Sequence, residues 1–91
     1  MTKQVKYDEA NPQIWREFER ISRSAKERGI KHWSARGVLY VIRYETAARA
    51  DNAKYKVDNN MSPYYARKMM FMFPEFKGFF NIRGEESQSK L

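Results

Sequence analysis

Apolar residues recur at helical spacing from Ile14 onward. Ile14, Phe18, Ile21 and Ala25 follow one another at intervals of four, three and four, which stacks them on one face of a helix. Asn11-Pro12 marks the start, with asparagine as a cap accepting from the first free amides. Proline takes the first helical position, where its missing N–H costs nothing. Gly29 suits the left-handed residue that closes a helix, so the first helix is expected over about 12–28. Arg16, Arg20 and Arg23 fall on its opposite, basic side.

A second helix is expected over about 35–50, with Ser34 as its cap. Ala35, Val38, Val41, Ile42 and Glu45 form a broad inner face with Leu39 on its flank. Glu45 requires a partner if it is buried, and the spacing names none. Arg36 and Arg43 stand together on the outer side near Tyr40, and TAARA sustains helical propensity until Asp51-Asn52 ends it. Ser62-Pro63 repeats the cap-plus-proline signal and opens a third helix over about 63–73. Its inner face is Ala66, Met69, Met70 and Phe73. Pro74 stops it, because proline disfavours the helical region in the residue before it.

The intervening Tyr55-Lys56-Val57 is short and β-prone, Asp58-Asn59-Asn60 reads as a turn, and 79–83 alternates like a strand. Residues 54–57 and 79–83 are expected to pair as a small ribbon packed on the helices, since a lone two-stranded ribbon is marginal. The fold class is therefore mainly α: a three-helix core, a helix-turn-helix-like first pair and a two-stranded β-ribbon, approaching a winged helix. The polar residues 1–10 are expected to be a flexible N-terminal segment, 11–83 a single compact domain and 84–91 a disordered tail. Ninety-one residues are too few to bury two separate cores.

Charge changes the picture from fold to partner. Eighteen Lys and Arg oppose eleven Asp and Glu, a net charge of +7 that points to a polyanion, most commonly nucleic acid. The absence of cysteine removes disulfides and thiolate metal sites and fits a reducing cytoplasm. MTKQVKYDEANP has no apolar run resembling a signal peptide, and no stretch is apolar enough to span a membrane, so neither is expected. Catalysis is not expected either. The one histidine, His32, lies between Lys31 and Trp33 and reads as a surface or capping residue. No nucleophile elbow, glycine-rich phosphate loop or convergent metal-ligand spacing is present in the sequence, so no cofactor or metal is expected.

The binding candidate is SAKERGIKHWSARGVLYVI. In a helix-turn-helix, a small residue near the end of the first helix lets the second approach, a glycine takes the turn, and an apolar residue plugs the gap. Ala25, Gly29 and Ile30 meet those demands, and Val38 faces back to the core. Lys31, His32, Ser34 and Arg36 then fall at the reading end, with Arg43 further along, where donors reach bases or phosphates. Together with Arg16, Arg20 and Arg23 they form the expected nucleic-acid-binding set. A plain antiparallel helix pair with a short turn has the same small residue and glycine. A rival surface is Tyr64, Arg67, Lys68 and Phe71 on the outer face of the third helix. Aromatic and cationic groups suit base stacking, but also the core of a protein interface. Alternatively, Tyr64 and Phe71 simply cover the ribbon.

Taken with NPQIWREFERI, GIKHWSARGVLYVIRYETA, NNMSPYYARKMM and FPEFKGFFNIR, the chain resembles a widespread group of small proteins encoded by bacteriophages and prophages. The pattern covers about 11–83. The resemblance implies a phage origin and the cytoplasm of a bacterial host, and it assigns no activity and no functional residues. Small phage proteins of this kind are often DNA-binding regulators or inhibitors of a host protein. Two readings follow. One is a nucleic-acid-binding accessory or regulatory protein, meeting duplex DNA, with a homodimer expected if it reads a palindrome. The other is an inhibitor or adaptor that binds a host defence or metabolic protein through its aromatic-basic helix face.

Overall fold

In the computed structural model, which describes residues 2–47 and 57–81, the chain is mainly helical. The polar N-terminal segment, expected to be loose, contains helix α1 (Lys3–Ala10). Thr2 caps it, its hydroxyl accepting from the Val5 amide at 3.1 Å. This weakly amphipathic helix is tied down by Tyr7, which packs on the core and whose hydroxyl accepts from the Asp58 amide at 3.1 Å, and by a buried carboxylate. Asp8 accepts from Lys68 Nζ at 2.6 Å and from the Tyr64 hydroxyl at 2.9 Å. A run judged by hydrophobicity alone gives no sign of such a polar anchor.

Helix α2 (Pro12–Glu27) has the expected span and the expected buried face: Ile14, Phe18, Ile21 and Ala25. Asn11 plays a different part from the one read in its sequence. Its side chain makes no cap bond to α2 and instead donates from Nδ2 to the Tyr7 carbonyl at 2.9 Å, closing α1. Gly29 ends α2 at φ +95°. The Gly29 amide bonds the Lys26 carbonyl and the Ile30 amide joins the Arg28 amide on the Ala25 carbonyl, which satisfies carbonyls of the last turn.

Seven residues, 28–34, connect α2 to α3 (Ala35–Ala47), more than the three or four of a helix-turn-helix turn. They include strand β1 (Trp33–Ser34), which pairs in parallel with β2 (Phe80–Asn81). The expected ribbon of 54–57 with 79–83 is not seen among the described residues, where Phe80–Asn81 pairs with β1. Val57 is outside any strand, and 54–56 lie outside the described residues, as do 48–50 of the second helix, 82–83 and the tail 84–91. Ser34 does cap α3, its Oγ accepting from the Gly37 amide at 2.8 Å. The Trp33 indole lies so close to Gly37 that a Cβ there would sit 2.7 Å from Nε1, so only glycine fits without a shift.

Helix α4 (Ser62–Met72) follows a short turn capped by Asp58 and stops before Pro74. Its inner face includes Tyr65, which is fully buried beside Ala66 and Met69 although the apolar spacing omitted it. Leu39, placed on a flank of α3, is likewise fully buried. α2, α3 and α4 form a three-helix core, completed by Phe76, Phe79 and Phe80. Phe18 sits between Tyr65 (ring centroids 5.2 Å) and Phe80 (5.5 Å) at its centre.

Candidate nucleic-acid interface

A helix surface offers acidic partners at three and four residues' distance, and α2 uses them. Arg20 lies 2.7 Å from Glu17 and 2.9 Å from Glu45 of α3, so the partner that Glu45 requires is an arginine twenty-five positions earlier. Hydrogen bonding to Glu17, with the two carboxylates' charge, holds the Arg20 guanidinium above its usual pKa. Arg23 bonds Glu19 at 3.1 Å, lies 3.6 Å from Glu75, and stacks over the Phe73 ring at 4.2 Å. Arg43 is also engaged, donating to the Val57 carbonyl at 2.9 Å and the Asn59 side chain at 3.3 Å. Of the expected cations on the helix faces, Arg20, Arg23 and Arg43 therefore serve the fold. Arg16 and Arg36 are exposed and form no ion pair with a described residue.

Turns lack that helical partner spacing, and the cations at and beside them form no ion pair with a described residue. Three segments meet: the C-terminal turn of α2, the connection before β1, and the turn before β2. Lys26 Nζ lies 5.4 Å from the Phe76 ring centroid. His32 Nδ1 donates to the Gly78 carbonyl at 3.2 Å, and the Trp33 amide donates to the Phe79 carbonyl at 2.9 Å. Lys26, Arg28, Lys31 and Lys77 are exposed across this junction, and Arg36 follows in the first turn of α3. Two exposed carboxylates stand among them, Glu27 and Glu75, the latter 3.6 Å from Arg23.

This arrangement keeps Lys31, His32 and Arg36 of the expected set and adds Lys26, Arg28 and Lys77, which the helix-turn-helix reading passed over. The clue was present as basic residues flanking Gly29 and Gly78. What joins the two turns is the β1–β2 pairing, which local patterning does not reveal. Ser34 is half-buried as a helix cap.

Beside the junction, between α2 and α3, lies an open cleft of about 280 Å³. Ile21, Ala25, Ile30, Trp33 and Val41 contribute apolar surface, and Arg20, Arg28 and Glu45 contribute charge. Its volume falls just below the range usual for small-molecule sites. Among the described residues no three His, Asp or Glu side chains converge as metal ligands.

The rival α4 surface divides. Tyr64 and Lys68 are occupied by Asp8, and Lys68 also lies 4.3 Å from the Trp15 ring centroid. Arg67 and Phe71 remain exposed. Burial, reinforced by the Asp8 carboxylate, pushes the Tyr64 hydroxyl up to about 12. Burial raises Tyr65 further still and lifts Tyr7 as well.

Comparison with known proteins gives no matching family model, no matching curated protein and no matching solved structure. Among the described residues no helix is long and apolar enough to cross a membrane.

Proposed function

We propose that this chain is a small, basic, non-catalytic nucleic-acid-binding accessory or regulatory protein of phage type, working in the cytoplasm of a bacterial host. The carrying observation is the junction of Lys26, Arg28, Lys31, Arg36 and Lys77, exposed cations that form no ion pair with a described carboxylate. Unpaired cations from separate segments meet a polyanion without first breaking internal salt bridges. The net charge of +7 acts in the same direction over longer range. The phage origin rests on the sequence pattern across 11–83.

Binding of fluorescent oligonucleotides at 50 and 200 mM salt tests the reading. Each neutralised phosphate contributes a slope of about −0.7 (single strand) to −0.9 (duplex) to log K against log salt. Five contacts therefore imply a slope of about −3.5 to −4.5, or roughly a 100- to 500-fold loss over that interval. No binding of any nucleic acid at 50 mM salt, or binding indifferent to salt, rejects the proposal.

A second reading rests on Phe71, which is 87% exposed beside the exposed Arg67. An aromatic ring and a guanidinium left in water suit a protein interface, and so an inhibitor or adaptor of a host protein. A host partner retained after nuclease treatment and lost with Phe71→Ala supports it.

A further inference from the structure

The outer face of α3 carries a feature that phosphate binding alone does not use. Tyr40 and Tyr44 are 67% and 74% exposed, among the largest apolar surfaces left in water. They stand one helical turn apart, and Arg36, exposed and not ion-paired with any described residue, stands one turn before them. Arg43 shares the face but is held by the 57–59 segment, and Glu45, the one acid of α3, points to Arg20 instead. The stripe is therefore two aromatic rings with an exposed cation at the end nearest the basic junction.

We propose that Arg36, Tyr40 and Tyr44 form a stacking platform for single-stranded nucleic acid. This rests on the nucleic-acid reading above and names the partner class within it. A duplex hides the faces of its bases and presents only their edges in the grooves. Exposed rings have nothing to stack on there. A single strand offers every base as a π-face, and aromatic side chains along a basic track are the usual way to hold one. Spacing agrees. Side chains one helical turn apart have Cβ atoms about 5–6 Å from each other, whereas stacked nucleotides rise about 3.4 Å per step. The two rings thus suit neighbouring bases drawn apart in an extended strand.

The seven-residue α2–α3 connection, paired to β2, also departs from the tight turn that presents a recognition helix to a major groove. A second copy of the chain is the poorer occupant. Pairing this stripe with itself brings the exposed Arg36 of one copy toward the like-charged surface of another, each carrying +7.

The test uses the full chain with a labelled oligothymidylate of about 15 nucleotides, in the range of single-strand site sizes, and a mixed-sequence duplex of equal length. Tyr40→Ala and Tyr44→Ala are each expected to weaken oligothymidylate binding about tenfold, the scale of losing one stacked base. Tyr40→Phe and Tyr44→Phe keep the ring and are expected to stay within about twofold of wild type on the same principle. Circular dichroism confirms the fold of each variant. Wild-type binding to oligothymidylate that survives both alanine substitutions overturns the platform while leaving nucleic-acid binding intact. Preference for duplex, or equal loss in the phenylalanine and alanine variants, overturns it too, the latter pointing to hydroxyl–phosphate contacts. A dimer abolished by Tyr44→Ala identifies the stripe as a self-interface and likewise overturns it. Failure of the wild type to bind either probe removes the broader proposal as well.

Discussion

Arg36→Ala and Arg20→Ala each delete one guanidinium from the helical face expected to meet nucleic acid, yet the two are predicted to act on different properties. Arg36 is exposed and pairs with no carboxylate among the described residues, so its charge can replace a counterion on a phosphate. One such contact on a single strand contributes about 0.7 to the salt slope, worth about fivefold in affinity at 0.1 M relative to 1 M salt. Arg36→Ala is therefore expected to weaken binding about fivefold at 0.1 M and to flatten the slope by about 0.7. Arg20, although its side chain is 54% exposed, already lies against Glu17 at 2.7 Å and Glu45 at 2.9 Å. Engaging a phosphate would mean releasing both carboxylates, so its deletion is expected to leave the slope unchanged and affinity within about twofold; the freed negative charges act only through a field screened over about 10 Å at 0.1 M salt. Stability should reverse the order. Two exposed ion pairs at about 0.5 kcal/mol each suggest that Arg20→Ala costs about 1 kcal/mol. In a domain of this size that lowers Tm by about 4–8 °C. Arg36→Ala should melt like wild type. Anisotropy titrations at four salt concentrations and thermal circular dichroism read both axes. If Arg20→Ala flattens the salt slope as much as Arg36→Ala, the α2 pairs open on binding, and prior pairing is no guide to which cations bind.

Asp8→Ala removes one anchor of α1, taking away one charge-assisted hydrogen bond and one hydroxyl bond to a buried carboxylate. Because Lys68 can turn toward water, the expected cost is about 2 kcal/mol, or a fall in Tm of about 8–16 °C. A Tm unchanged within about 2 °C would mean that this contact contributes little to the fold. The buried tyrosines set an alkaline limit. Their raised pKa values keep the hydroxyls protonated in the native state where an unfolded chain begins to ionise near pH 10, so their contribution is intact below that pH. It is withdrawn as the pH rises from 10 through about 12. Ultraviolet titration should show a late tyrosinate phase that shrinks in Tyr64→Phe and Tyr65→Phe, with stability to urea declining above pH 10. Complete tyrosine ionisation by pH 10.5 in the folded protein contradicts this.

Local signals carried most of the helical architecture. Four apolar positions, Pro12 and Gly29 locate α2, because spacing, cap and left-handed closure are properties of a few adjacent residues. Ser34 and Pro74 are equally informative for the same reason. The misses share a different cause. Asp8 orders α1 through α4, some sixty positions away. Phe80–Asn81 pairs with Trp33–Ser34 rather than with a neighbour in sequence. Tyr65 enters the core because Phe18 and Trp15 stack around it, although tyrosine counts as partly polar in any hydrophobic pattern. Each depends on a contact distant along the chain, and periodicity contains no information about those.

The candidate site follows the same division, and it explains which cations remain available. Glu17–Arg20 and Glu19–Arg23 are acid-before-base pairs at three and four residues' spacing, readable from the sequence as internal partners before any tertiary contact is considered. Counting those arginines toward a binding face therefore used charges the helix had already matched. Lys26 lies in the last turn of α2, and Arg28, Lys31 and Lys77 adjoin glycine turns; none of the four forms an ion pair with a described residue. An isolated turn would scatter such charges. Here His32 and Trp33 bond the backbone of the 78–79 turn, so cations nearly fifty residues apart in sequence are brought together. Arg36 then leads from that junction onto the tyrosine stripe of α3. On the proposed reading, a polyanion meeting those charges would be led toward Tyr40 and Tyr44, while Arg20 and Arg23 stay paired to Glu17, Glu45, Glu19 and Glu75.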